Sequence, residues 1–155
     1  MTDLVTAEKV LTMAVDLEET GRGFYEALAL GCGNREMAAL CARLAKAEAQ
    51  HAAVFQEMRK RLPRTDRTKP LTDEQAARVH SMVKDFVIPK PPMVSKVALH
   101  GQAKDALAMA IQMERDSVRF YENILRDVQP SQAAAIDDII RQEKMHLHDL
   151  MALGV

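Results

Sequence analysis

Two stretches of this chain repeat one another closely enough to restrict the architectures open to it. Residues 14–28 read A-V-D-L-E-E-T-G-R-G-F-Y-E-A-L and residues 110–124 read A-I-Q-M-E-R-D-S-V-R-F-Y-E-N-I, which aligns Glu18 with Glu114 and Phe24-Tyr25-Glu26 with Phe120-Tyr121-Glu122. A further shared element follows each stretch: Glu48-Ala-Gln-His51 after the first and Glu143-Lys-Met-His146 after the second. Each half therefore supplies a Glu and then a Glu-x-x-His, the pattern of a duplicated helical hairpin.

Apolar residues alternating at three- and four-residue spacing mark the inward stripe of a helix, and four such stripes can be traced. The first holds Leu11, Ala14, Glu18, Gly21, Tyr25 and Leu28, and the second Met37, Leu40, Leu44, Glu48, His51, Phe55 and Met58. The third holds Leu107, Ile111, Glu114, Val118, Tyr121 and Leu125, and the fourth Ile136, Ile139, Glu143, His146, Leu150 and Leu153. All six polar residues of the repeated motif fall mid-stripe. Four carboxylates inside an apolar core repel one another and lose hydration, at several kcal/mol per ion unless something compensates. Two divalent cations would balance four negative charges. Residues three apart on a helix lie on nearly the same side, about 4.5 Å apart along its axis, so the Glu and His of each Glu-x-x-His can address one small site. Carboxylate bundles that hold two irons or two manganese ions use this ligand set.

Turn-forming residues separate the stripes. Gly31-Cys32-Gly33-Asn34 and Gln129-Pro130-Ser131 are short connections, whereas Pro63, Pro70, Pro89, Pro91 and Pro92 exclude a continuous helix between the two pairs. The expected helices cover 6–30, 34–61, 102–127 and 131–153, giving a hairpin over 6–61, a crossover over 62–101 and a hairpin over 102–153. Thr72-Asp73-Glu74-Gln75 has the form of a capping box, so the crossover is expected to carry a short helix near 73–86, with 88–93 extended after it. An antiparallel four-helix bundle with one long crossover has ferritin-like connectivity. The chain is thus read as one all-α domain, residues 1–155, a length that suits a single core.

Charge and cysteine content narrow the function. With 21 basic and 22 acidic side chains the formal net charge is -1, which provides no positive field for nucleic acid or an anionic membrane. Cys32 and Cys41 stand outside any Cys-x-x-Cys motif and are expected to be free thiols. No apolar run is long enough to cross a bilayer and no basic segment leads into an apolar one near Met1, so a cytoplasmic location is expected. Other candidates have plainer readings. His148 belongs on the surface, His80 and His100 in the crossover, Glu26 and Glu122 in solvent, and the methionines, Met109 and Met113 among them, in adaptable core packing. Arg59-Lys60-Arg61 and Arg64 give helix two a basic end that suits its dipole.

At the repeated motif the sequence resembles the rubrerythrin and bacterioferritin branches of the ferritin-like superfamily, over nearly the whole chain outside the crossover. The resemblance implies a centre of two iron ions, with Glu48 and Glu143 bridging, Glu18 and His51 on one ion, and Glu114 and His146 on the other. Tyr25 and Tyr121 would stand behind these ligands, a role weighed evenly against plain core packing. Manganese or zinc could replace iron as purified, because availability often outranks preference.

Two departures limit what carries over from the rubrerythrin branch, and two more count against the bacterioferritin branch. Ser117 occupies the position, one turn after Glu114, where rubrerythrins usually carry a further Glu. No Cys-rich rubredoxin domain is present, so reducing equivalents would come from an external electron-donor protein. Nine residues follow His146, too few for the short fifth helix of bacterioferritins, and Ala49 stands at their usual haem-ligand Met position. The rubrerythrin-like branch implies an oxidoreductase that reduces hydrogen peroxide or dioxygen. A ferroxidase or iron-handling protein is the alternative, and a metal-free helical interaction protein a more distant one. A homodimer is the default assembly.

Overall fold

A computed structural model of the chain describes residues 4–85 and 103–154. Helix α1 spans Ala7–Gly31 and α2 spans Arg35–Lys60, followed by a single turn, α3 (Arg64–Arg67), and the crossover helix α4 (Asp73–Asp85). Helix α5 (Ala103–Phe120) runs on through a π-helical turn, Tyr121–Leu125, into the short α6 (Arg126–Val128). A 3-10 turn at Pro130–Gln132 leads into α7 (Ala133–Met151). The four long elements lie within two residues of the expected ends, which is the precision helix boundaries possess.

Local chemistry sets those boundaries. Thr6 Oγ1 accepts the Lys9 N–H at 3.2 Å, and Asn34 Oδ1 accepts the Met37 N–H at 2.9 Å, so α1 and α2 each begin on a side-chain cap. A cap of this kind contributes about 1 kcal/mol. The anticipated capping box is formed: Gln75 N–H donates to Thr72 Oγ1 at 3.2 Å, and Thr72 N–H donates to Gln75 Oε1 at 3.1 Å. Ahead of α1, the Leu71 N–H donates to Val5 O at 2.9 Å, which ties the crossover to the start of the chain. The expected extended stretch 88–93 and His100 lie outside the described residues.

Helix α1 packs along α2, α5 packs along α7, and the pairs meet where α1 faces α5 and α2 faces α7. Their shared interior divides into two apolar clusters. One contains Val10, Leu11, Phe55, Tyr121, Ile136 and Ile139, and the other Phe24, Tyr25, Met37, Leu44, Leu107 and Leu150. The polar residues of the repeat lie between them. Burying a side chain such as Phe24 or Phe55, neither of which has any exposed surface, contributes roughly 1.5–3 kcal/mol.

Three details differ from the sequence reading. The third helix is not α-helical throughout: at Tyr121 the ladder widens and the Arg126 N–H donates to Tyr121 O, five residues back. Ile111 and Leu153 are half-buried, and Ala110 is buried in the second cluster instead. Glu122 is also half-buried rather than free in solvent, because the Lys144 ammonium pairs with it at 2.6 Å. Glu26, His80 and His148 are exposed, and Met109 and Met113 pack against the second cluster. Cys32 and Cys41 are both free thiols. Burial, with Cys32 nearby, pushes the Cys41 thiol up to about 12.

Candidate metal centre

Four helices deliver the six repeated residues to one place. Glu18 comes from α1, Glu48 and His51 from α2, Glu114 from α5, and Glu143 and His146 from α7. Glu18, Glu48, His51, Glu114 and Glu143 are buried, and His146 is slightly open. His51 Nδ1 lies 3.2 Å from Glu143 Oε1 and 3.5 Å from Glu18 Oε2. His146 Nδ1 lies 3.0 Å from Glu143 Oε2, 3.7 Å from Glu48 Oε1 and 3.9 Å from Glu114 Oε1. The two imidazoles stack with centroids 5.8 Å apart.

The cluster resolves into two overlapping groups. Glu18, Glu48, His51 and Glu143 offer ligand atoms that all lie within 4.8 Å of one another, and so do Glu48, Glu114, Glu143 and His146. Glu48 and Glu143 belong to both. Behind these groups, the Tyr121 hydroxyl donates to Glu18 Oε1 and the Tyr25 hydroxyl donates to Glu114 Oε1, each at 2.6 Å. Each phenol thus crosses from one hairpin to a carboxylate of the other. Its ring packs in one of the two apolar clusters, so the positions combine core packing with a polar tip.

The charges of this arrangement are under tension. Burial, together with the neighbouring charges of Glu143, Glu18 and Glu114, holds the Glu48 carboxyl well above the usual range. Burial and the charge of Glu143 do the same to Glu114. Burial would push Glu18 up as well, but polar contacts from Glu48, His51 and Glu143 outweigh it and hold that carboxyl down. Burial opposes the charged form of His51, yet contacts with Glu143 and Glu18 overcome it and raise the imidazole to about 11. Glu18 Oε2 and Glu48 Oε1 are buried, with no hydrogen bond from any described residue. Orphaned acceptors, crowded like charges and inward-facing imidazole nitrogens form a donor set that suits two divalent cations.

One participant was hidden from sequence reasoning. Gln142, on the outer side of α7, places Oε1 2.9 Å from His51 Nε2. Helical periodicity assigns it to solvent. Its signal lay in the repeat, where the residue before Glu143 is Gln142 and the residue before Glu48 is Ala47. Ser117, one turn after Glu114, is half-buried.

The helix connectivity and the carboxylate–histidine cluster place the protein among the ferritin-like carboxylate bundles. Residues 9–154 match the rubrerythrin family, and the chain belongs to that family. Among solved structures it is similar to a Thermotoga maritima chain assigned to the ferritin-like diiron-carboxylate proteins, with 26% identity and a TM-score of 0.75. That likeness covers 97% of this chain and 95% of the other. No curated protein matches the chain. Among the described residues, no helix is long and apolar enough to cross a membrane.

Proposed function

We propose that the chain is a rubrerythrin-like di-iron oxidoreductase that reduces hydrogen peroxide or dioxygen with electrons delivered by a separate donor protein. The observation that carries this reading is the pair of overlapping four-residue groups, which share Glu48 and Glu143 between two otherwise separate ligand sets. In this assignment Glu18 and His51 serve one ion, Glu114 and His146 the other, and Glu48 and Glu143 both. The diiron-carboxylate assignment of the Thermotoga maritima chain supports iron as the metal. Manganese or zinc would leave the ligand roles unchanged.

Held by Glu18, Glu48, His51, Glu114, Glu143 and His146, two ferrous ions would supply the two electrons that, with two protons, turn hydrogen peroxide into two waters. The protein's own part is to orient and to exclude water. Burial and the adjacent carboxylates hold the Tyr25 and Tyr121 phenols well above their ordinary range, so both keep their protons and remain hydrogen-bond donors. Because Tyr121 occupies Glu18 Oε1, the other oxygen of Glu18 is turned toward His51. The two apolar clusters flank the layer along the bundle.

Reduced, iron-loaded protein is expected to consume hydrogen peroxide faster than a Glu114→Ala variant prepared in the same way. Equal rates would dispose of the assignment. Ser117, standing where rubrerythrins usually place a Glu, favours a second reading in which the protein oxidises and handles iron without peroxide turnover. Ferrous ion consumed with no catalytic loss of peroxide would select it. We further propose a homodimer, a state that size-exclusion chromatography distinguishes from a storage shell.

A further inference from the structure

The two halves of the centre are not sealed alike. Gln142 covers the outer nitrogen of His51, whose side chain is only 3% exposed. The reciprocal contact, from α2 onto His146, would require a side chain at position 47, and alanine has none that reaches. On that side α2 and α7 leave a cleft of about 210 Å³, lined by Leu40, Arg43 and Leu44 of α2 and by Met145, His146 and Asp149 of α7. His146 is 12% exposed, and Met145 is 65% exposed. Gln142 also lines the cleft, so it stands as the wall between that space and His51.

We propose that this cleft, on the His146 side, is the port through which small ligands reach the centre. The proposal rests on the metal-centre reading above. The cleft has room for only a handful of water-sized molecules, at roughly 30 Å³ each, which suits a ligand the size of hydrogen peroxide. Arg43 and Asp149 balance one another, so the lining does not favour charged over neutral ligands, and Leu40 and Leu44 give it an apolar wall. A backbone opening is not required. Gln142 closes the His51 side, and its repeat mate, Ala47, is too short to close the His146 side in the same way.

The test uses oxidised, iron-loaded protein and azide as the probe, with the metal content of each variant measured first and azide binding then followed by stopped-flow absorption. Met145→Trp fills the cleft from its exposed side, Ala47→Gln supplies the missing plug, and Ala42→Trp, at an exposed position on α2 outside the lining, is the control. With two irons per chain retained, azide association is expected to slow by about tenfold or more in Met145→Trp and Ala47→Gln and to stay within about twofold of the parent in Ala42→Trp. Fully loaded Met145→Trp and Ala47→Gln proteins that bind azide at the parent rate would overturn the port while leaving the metal centre intact. A parent chain that takes up no metal would overturn the centre, and the port with it.

Discussion

The first hairpin, α1 with α2, and the second, α5 through α7, contribute the same Glu, Tyr and Glu-x-x-His at matching positions, yet they are finished differently. In the first hairpin the helix bearing Glu18 and Tyr25 is α-helical from end to end, Gly21 leaves a methyl-sized space beside Glu48, and Ala47 is the repeat mate of Gln142. In the second, the helix bearing Glu114 changes to π geometry at Tyr121, Ser117 stands opposite Gly21 in the repeat, and Gln142 reaches across to His51. Where the halves agree, they determine which atoms converge. Where they disagree, they determine which side of the cluster is covered.

The largest effect should separate shared from unshared carboxylates. Glu48→Ala or Glu143→Ala is expected to abolish uptake of both ions, because each residue belongs to both groups, whereas Glu18→Ala or Glu114→Ala should leave one ion per chain. Metal analysis after gentle purification reads the difference. Retention of a tightly held ion in both shared-residue variants would show that the groups do not overlap in solution.

A second comparison concerns the phenols. Tyr25→Phe and Tyr121→Phe each remove a donor from a buried carboxylate, and each is expected to cost the apo protein about 1.5–3 kcal/mol in urea unfolding. Both bonds measure 2.6 Å, but Glu18 is held in its charged form while burial and Glu143 push Glu114 toward its neutral one, so the loss should be the larger in Tyr121→Phe. Equal losses, or a larger one in Tyr25→Phe, would break that ordering.

That turn also shows where the sequence stopped being informative. Glu18, Glu48, His51, Glu114, Glu143 and His146 stood out because acidic residues in the middle of an apolar stripe conflict with burial, and the conflict occurred twice with the same spacing. Thr72 and Gln75 announced their helix start because capping is a local interaction between residues three apart. The π geometry had no comparable signal. Phe120, Tyr121, Ile124 and Leu125 form an apolar face that suits an ordinary α-helix, and neither Gly nor Pro interrupts them. Gln142 was missed for a related reason, since its partner His51 lies on another helix and periodicity reports only the side a residue faces.

The smallest effect concerns the surface clamp between the crossover and the second hairpin. Arg78 donates to Asn123 O at 2.9 Å, a carbonyl within the π turn, and to Asp127 Oδ2 at 2.8 Å, which also accepts from Gln75 at 3.1 Å. Hydrogen bonds from Gln75 and Arg78 hold the Asp127 carboxyl below its ordinary value of 3.8. A carboxylate depressed in the folded state stabilises it above the unfolded value, and that contribution disappears as pH falls through the folded value. Asp127→Asn is therefore expected to cost about 0.5 kcal/mol at pH 7, a small figure because the pair is exposed and screened, and to cost nothing in strong acid. Urea midpoints measured across that range, against Asp16→Asn at an exposed position on α1 as a surface control, would sharpen or break the link between the crossover and the π turn.

Gly21 carries a consequence for how freely the cluster can rearrange. A methyl group placed there would touch Glu48, 3.4 Å from Oε2 and 3.5 Å from the carboxyl carbon. Alanine would fill the space up to ordinary contact, and anything longer would compete with Glu48 for the same volume. The hydrogen at this position leaves a methyl-sized margin beside one of the two shared carboxylates, so the volume open to Glu48 is set by a residue on the neighbouring helix.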